Sequence, residues 1–225
     1  MIEFDNVTVH YQKLSKKHLV LDNVSLTIPE NRNIAVFGTN NQDVSFLLKL
    51  ITGSVSPQKG AVKTNQTFSW NVGLGNTLRP EMTVAQNVKF LARIYFKDSF
   101  RVAEVVYTIK QFTGMGKSFE LPMRHLTPEM RSKLNRALVL FLGGQCLVLE
   151  NMIANRKTAE TEMFENLIKE KMEKEGCSIL MTTPAINKVR EFCNSGLVLH
   201  EGALSYFEDI AQAIEVFKEI KGKHK

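Results

Sequence analysis

The chain opens with alternating apolar and polar side chains. Residues 2–9 and 19–28 both follow this pattern, and a period of two predicts half-buried β-strands. The segment between them, 12–18, is basic and polar, which is typical of the loop of a hairpin. The chain is therefore predicted to begin with antiparallel β structure.

Further along, short apolar runs alternate with segments of helical spacing. Continuous apolar runs occupy 33–38, 146–149 and 178–182 and predict strands buried on both faces. Helical periodicity is found in 45–52, 84–97, 100–113, 128–142 and 157–175. This alternation predicts a parallel sheet with right-handed crossovers. We expect one α/β domain, with a helical insertion at about 76–135 and a strand pair within 197–205.

Composition changes this picture little. The 225 residues are 44% apolar and 23% charged, which is close to the globular average and excludes disordered classes. The longest apolar stretch, Ala137 to Leu149, is interrupted by Gly143–Gln145 and is shorter than the roughly 18 residues of a membrane span. The first residues lack the basic and apolar regions of a signal peptide. We expect a soluble chain of the cytosolic type.

Three cysteines, Cys146, Cys177 and Cys193, stand far apart in the sequence. Their number is odd and no Cys-x-x-Cys or His/Cys cluster accompanies them, so neither a disulfide framework nor a zinc site is expected. Each lies among apolar residues, which predicts buried free thiols.

The net charge of the chain is +6. Such a charge is compatible with nucleic acid, with an anionic membrane surface or with no charged partner at all. Positive charge is concentrated only in the basic tail, 218–225. Elsewhere basic residues are mixed with acidic ones and no recognition motif appears, so nucleic-acid binding is not expected.

The strand, loop and helix at 33–52 stand where a phosphate loop would lie. That motif, G-x-x-x-x-G-K-[ST], uses glycines to bring backbone N–H groups to phosphate, a lysine to neutralise charge and a hydroxyl to bind magnesium. The sequence here is Gly38-Thr39-Asn40-Asn41-Gln42-Asp43-Val44-Ser45. The first glycine and the serine are in place, whereas Asp43 replaces the second glycine and Val44 replaces the lysine.

The order of segments from Met1 to about Phe207 resembles the ATP-binding subunits of ABC transporters, and most closely those of capsular-polysaccharide exporters. The segments that carry the resemblance are 2–11, 21–26, 69–74, 83–95, 130–134 and 190–193. It implies a P-loop NTPase-like ABC ATPase domain with a RecA-like parallel core sheet, an antiparallel β subdomain and a helical subdomain. It also implies that Tyr11, at the end of the first strand, is the aromatic residue that stacks on adenine.

Compared with that family, the nucleotide site is degenerate. Val44 lacks the charge that contacts the β- and γ-phosphates. The Asp43 carboxylate lies at a helix N-terminus, where an anion is stabilised and a phosphate would otherwise bind. As a structural residue, Asp43 is expected to be the N-cap of the helix at 45–52. The other positions of the degenerate site are Tyr11, Gly38, Asn40, Asn41 and Ser45.

None of the catalytic positions that the resemblance implies is intact. The acidic strand end, Asp-Glu in the family, reads Glu150-Asn151 here. Asn151 takes the place of the general base, and an amide has no useful basicity near pH 7. Ser45 and Glu150 remain as remnants of a magnesium site. The other altered positions are Pro184 for the switch histidine, Arg79 for the Gln-loop and Arg156–Lys157 for the D-loop.

The family's signature helix, which reads the γ-phosphate bound on the other subunit of a dimer, corresponds here to Thr127, Pro128, Glu129 and Met130. The family has small Ser and Gly residues there, whereas Pro128 removes one N–H and Glu129 adds an acid. The same residues make a good helix start, with Thr127 as the N-cap and Pro128 at the first position. The helix signal is kept and the phosphate-binding signal is lost.

These losses together predict a folded pseudo-ATPase without significant ATP hydrolysis. No cofactor is expected, and ATP with magnesium is expected to bind only weakly if at all. The expected role is that of a non-catalytic subunit of a polysaccharide exporter, docked by its helical insertion on a transmembrane permease at the cytoplasmic face of the inner membrane. It would pair as a homodimer or with a competent ATPase, and its basic tail would lie near anionic lipid.

Two alternatives stay open. One is a regulatory or scaffold protein in the production of surface polysaccharide. The other is a residual ATPase that uses Ser45 and Glu150 to energise polysaccharide export.

Overall fold

The structure is a computed structural model that describes residues 1–13, 16–70, 78–153, 155 and 158–223. Parts of the predictions lie outside these residues: 14–15 in the hairpin, 71–74 and the start of the insertion at 76–77, Arg156–Lys157, and the end of the tail at 224–225. The chain divides into two compact units. The sheet unit comprises Met1–Thr67 and Gln145–Lys225, and the helical unit comprises Phe68–Gly144.

The elements follow one another in the order that the sequence predicts, with three additions. The first half contains β1 (Ile2–Lys13), β2 (Lys16–Ile28), β3 (Ile34–Gly38), α1 (Asn41–Ile51), β4 (Lys59–Thr64), α2 (Val84–Tyr95) and α3 (Ser99–Thr113). The second half contains α4 (Pro128–Phe141), β5 (Cys146–Glu150), α5 (Ala159–Glu175), β6 (Ser178–Thr182), α6 (Ile186–Phe192), β7 (Ser195–His200), β8 (Ala203–Phe207) and α7 (Ile210–Lys223). The sequence patterns did not predict β4, α6 and α7.

The N-terminal strands form a three-stranded antiparallel sheet in the order β2-β1-β4. Strand pairing continues to the end of the hairpin, with Tyr11 opposite His18 and Gln12 opposite Lys17. The prediction of a loop is therefore wrong for 12–13 and 16–18. The backbone groups of the two strands pair whatever the polarity of their side chains, so a basic and polar sequence does not end the strands here.

The second sheet has five strands in the order β5-β6-β3-β7-β8. The first four are parallel and β8 is antiparallel to β7. Glu201 and Gly202 form the turn between β7 and β8 with φ angles of 46° and 83°, a backbone that suits a tight hairpin. The predicted α/β class with a parallel sheet is confirmed.

The last helix, α7, covers one face of the second sheet. Its buried residues are Ile210, Ala213, Ile214 and Phe217, which have helical spacing. Gly196 of β7 allows the close approach, because a Cβ atom there would lie 2.4 Å from that of Ala213. Residues 218–223 of the predicted tail belong to this helix.

The helical unit has its own apolar core, which α2, α3 and α4 form with short 3₁₀ turns at Gly116–Glu120 and Met123–His125. Fully buried side chains from all three helices meet there, among them Leu91, Ile109 and Leu134. Within the ranges that the structure describes, no helix is both long enough and apolar enough to cross a bilayer.

The cysteines are free thiols. Cys146 and Cys193 are buried as predicted, whereas Cys177 is half-buried, so the prediction of burial is wrong for that residue. Burial raises the pKa of the Cys146 thiol to about 12, and it raises the pKa of the Cys193 thiol as well. Both thiols are therefore protonated and unreactive at neutral pH.

Candidate functional site

A cleft of about 720 Å³ lies in the sheet unit at the carboxyl ends of β3, β5 and β6. Ligands of open α/β sheets bind outside the carboxyl ends of the strands. Among the described residues that line the cleft, one side chain is acidic, that of Glu150, and one is basic, that of Lys221. The other lining residues are Val36, Phe37, Gly38, Thr39, Asn41, Val44, Asn151, Ile153, Thr182, Thr183, Pro184, Ile186 and Phe217.

The loop between β3 and α1 has the position of a phosphate loop but a different start to its helix. The prediction that Asp43 caps the helix is wrong, because α1 begins at Asn41 and its N-cap is Asn40. Asn40 has extended backbone, and its Oδ1 accepts a hydrogen bond from the Gln42 N–H at 2.9 Å. The cap therefore takes one of the free backbone donors of the first turn.

Val44, at the position that the resemblance assigns to a lysine, has a buried aliphatic side chain. It is 6% exposed, and it packs over Gly38, where an added Cβ would lie 2.6 Å from Val44 Cγ2. Gly38 is thus required for close packing between the strand end and the helix. Ser45 follows in α1 and is half-buried.

Asp43 is bound to the hairpin of β1 and β2. The Tyr11 hydroxyl donates to Asp43 Oδ1 at 3.0 Å, and His18 Nε2 lies 2.9 Å and 3.0 Å from the two carboxylate oxygens. Burial, together with the hydrogen bond and negative charge of Asp43, raises the pKa of Tyr11 above its usual range. Sequence reasoning missed His18 because nothing in the local pattern connects it with a residue 25 positions away.

The Tyr11 ring, which the resemblance assigns to adenine, is in contact with side chains of the protein itself. Its centroid is 5.4 Å from that of Phe46, with 25° between the ring planes. It is 5.0 Å from that of His18. Phe46 is a second residue that the sequence patterns did not single out as functional.

The predicted catalytic positions after β5 and β6 line the same cleft. Glu150 ends β5, and Asn151 follows with a φ of 53°, a left-handed conformation that asparagine tolerates. The Asn151 N–H donates to the carbonyl and the hydroxyl oxygen of Thr182 at 3.0 Å and 3.2 Å. Pro184 follows β6 and lines the same cleft. Three predicted positions, Glu150, Asn151 and Pro184, are thus brought together.

The described residues of the cleft offer a magnesium ion few ligands. Glu150 lines it, whereas Ser45 is not among the lining residues. The residues that the structure describes contain no group of three His, Cys, Asp or Glu side chains placed to hold a metal ion. The polar groups that the described residues bring to the cleft are therefore hydroxyls and amides, with one carboxylate and one ammonium group.

Arg79 belongs to the helical unit, where a buried asparagine fixes its backbone. Asn87 is 1% exposed; its Oδ1 accepts from the Arg79 N–H at 2.8 Å, and its Nδ2 donates to the Arg79 carbonyl at 3.0 Å. Nδ2 also reaches the carbonyls of Met82 and Thr83. The sequence signal for Asn87 was an amide on the apolar face of a predicted helix.

The signature positions also belong to the helical unit. Thr127 is the N-cap of α4, as predicted, and its hydroxyl accepts from the Met130 N–H at 3.2 Å. Pro128 is the first residue of the helix. Glu129 is exposed and forms an ion pair with Lys133 at 3.1 Å. The helix start is therefore well formed and carries a surface acid.

Known proteins are similar to this chain over nearly its whole length. No protein-family model matches it. The polysialic acid transport ATP-binding protein KpsT of Escherichia coli is 29% identical over 97% of this chain and 96% of its own. The ATP-binding protein BexA of Haemophilus influenzae is 25% identical over 97% of this chain and 99% of its own.

The fold has solved counterparts. A dimeric ATP-binding cassette in a post-hydrolysis state with ADP and Pi has a TM-score of 0.74 at 18% identity, over 93% of this chain and 99% of its own. The predicted fold of an ABC ATPase domain is thereby confirmed. The chain is thus similar over nearly its whole length to ATP-binding proteins of polysialic acid transport and capsule polysaccharide export, and it has the fold of ABC ATPase cassettes.

Proposed function

We propose that the chain is a non-hydrolytic ATP-binding subunit of a polysaccharide exporter, held at the cytoplasmic face of the inner membrane by a permease. Relatives named for polysialic acid transport and capsule polysaccharide export, matched over nearly their whole lengths, support the process. The observation that carries the non-hydrolytic part is the apolar, 6% exposed Val44 at the position of the phosphate-binding lysine.

The loss of that lysine acts on the step that catalysis depends on most. Phosphoryl transfer is accelerated almost entirely by positioning and by neutralising charge on the phosphoryl oxygens. Val44 supplies neither, and its methyl groups pack over Gly38. The described cleft has one cation, Lys221 on α7, rather than one on the phosphate loop itself.

The general base is missing as well. Asn151 cannot accept a proton from water near pH 7, and its backbone is fixed by two hydrogen bonds to Thr182. Glu150 is the one carboxylate among the lining residues that the structure describes. A residual ATPase, the alternative to this proposal, would therefore depend on Glu150.

The start of α4 opposes phosphate binding from the other half of a composite site. Glu129 is a carboxylate with a 75% exposed side chain, and Pro128 has no N–H to offer. We propose that a partner subunit in a dimer would meet this acid in place of phosphate-binding backbone groups, so that a heterodimer with a competent ATPase has one productive site at most.

Docking on a permease is proposed for the helical unit. Residues 68–144 contain eleven Lys and Arg and five Asp and Glu, a net charge of +6 that equals that of the whole chain. The unit also has large exposed apolar side chains, which form an interaction surface where they are contiguous. They are Phe90, Ile94 and Tyr95 on α2, Phe100 and Tyr107 on α3, and Leu121.

The hydrolysis part is tested by phosphate release from the purified chain with MgATP. The expected rate is the same for the native chain and for Glu150→Gln, since neither has a working base. Turnover that Glu150→Gln abolishes would instead establish the residual ATPase.

The docking part is tested by co-purification with a co-expressed permease of the polysaccharide-exporter class. We expect the permease to be retained, and to be lost with Phe90→Ser/Ile94→Ser on the exposed face of α2. The matched control is Glu162→Ser/Glu170→Ser, on the charged helix α5. A chain that never retains a permease would favour the regulatory or scaffold alternative.

A further inference from the structure

The hairpin of β1 and β2 is tied to the first turn of α1 by a four-residue cluster. Tyr11 and His18 are paired across the two strands, so their side chains leave the hairpin together. Both reach the same carboxylate, that of Asp43, at 3.0 Å and 2.9 Å. We call Tyr11, His18, Asp43 and Phe46 the hairpin latch.

The acid of the latch occupies a position where an anion is favoured. Asp43 is in the first turn of α1, where the helix dipole and free N–H groups stabilise negative charge. Its side chain is 16% exposed, and its oxygens have partners in Tyr11 and His18. The first turn thus has an internal anion, which the protein holds in place with its own donors.

The rings of Phe46 and His18 lie against the ring of Tyr11. The centroid distances of 5.4 Å to Phe46 and 5.0 Å to His18 lie within the range at which aromatic rings attract one another. Phe46 is nearly parallel to Tyr11 and therefore covers one of its faces. A planar base that stacks on that face has to displace Phe46 first.

We propose that the hairpin latch is an autoinhibitory contact that closes the base-stacking position of this cassette from within. The inference rests on the proposed function. The latch would be a second obstacle to nucleotide binding, in addition to the absence of the lysine. Ligand affinity falls in proportion to the fraction of molecules with the latch open. Restoring the lysine alone therefore leaves the site closed.

The test restores the lysine with and without the latch. MgATP is titrated calorimetrically into Val44→Lys, into His18→Ala/Val44→Lys and into Asp43→Gly/Val44→Lys/Phe46→Ser. We expect Val44→Lys to match the native chain, the His18 double variant to bind more tightly, and the triple variant to bind at least tenfold more tightly. Lys17→Ala/Val44→Lys, altered at the neighbouring exposed hairpin position, is the matched control and should gain nothing.

Two results would overturn the latch. One is a Val44→Lys variant that binds MgATP as tightly as the triple variant, and the other is a triple variant no tighter than Val44→Lys. Circular dichroism checks that each variant is folded. Failure of the proposed function is distinguishable, because it shows as phosphate release by the native chain.

A second readout does not depend on nucleotide. Burial and the bond to Asp43 raise the pKa of Tyr11, so Asp43→Asn should lower the pH at which Tyr11 ionises. The ultraviolet titration of each protein is compared with that of its Tyr11→Phe counterpart to isolate this tyrosine, and Gln42→Asn is the control. An unchanged Tyr11 titration in Asp43→Asn would show that the latch does not exist in solution.

Discussion

The helices α1 and α4 each carry an acid in the first turn, and the two acids have different surroundings. Asp43 in α1 has a 16% exposed side chain within reach of Tyr11 and His18. Glu129 in α4 has a 75% exposed side chain that pairs with Lys133 along the same helix. The same sequence feature is therefore part of the tertiary structure in one place and a surface charge in the other.

The largest expected effect comes from removing the enclosed acid. Asp43→Ala deprives the Tyr11 hydroxyl and His18 of a charged partner, so we expect a loss of about 2 kcal/mol in the free energy of unfolding. Urea denaturation measures it, with Gln42→Ala in the same turn as the control. A loss no larger than the control's would mean that Asp43 contributes no more to the structure than an exposed residue.

The caps of the two helices are expected to be equivalent. Asn40 and Thr127 each accept a hydrogen bond from an N–H of the first turn, so Asn40→Ala and Thr127→Ala should each cost about 1 kcal/mol. Thermal unfolding of both variants checks this, and Asn40→Asp, which keeps the acceptor, should lose little. If the two variants lose clearly different amounts of unfolding free energy, the helices differ in their caps and not only in the surroundings of their acids.

The smallest effect is expected at the exposed acid. Glu129→Ala removes a surface ion pair with Lys133 and should cost less than about 0.5 kcal/mol. Since salt screens exposed charges, the cost should shrink further in 1 M sodium chloride. Denaturation at both salt concentrations decides this, and a loss as large as that of Asp43→Ala would contradict the comparison.

The fold was largely predictable because its strands and helices have local signals. Continuous apolar runs marked β5 and β6, and Thr127 with Pro128 marked the start of α4. The hairpin could not be read in the same way, because pairing between Tyr11 and His18 depends on the partner strand and not on local polarity. The period of α7 was present at Ile210, Ala213, Ile214 and Phe217 but was obscured by its many charges.

The site was predictable as a set of substitutions but not as an arrangement. The sequence predicted that Asp43 and Val44 stand where a phosphate loop has a glycine and a lysine, and it correctly placed Glu150 at the end of a strand with Asn151 after it. It did not show that Asp43 is bound by His18, since the two are 25 residues apart. It also gave the cap of α1 to Asp43, because a helix starting four residues earlier leaves no apolar signal in Asn41 and Gln42.

The most direct test of the account is a calorimetric titration of the native chain with MgATP. We expect no binding tighter than about 1 mM, which corresponds to roughly 4 kcal/mol of binding free energy. A dissociation constant in the micromolar range would contradict it, because a cassette with Val44 in its phosphate loop and a closed hairpin latch has no strong site for the nucleotide.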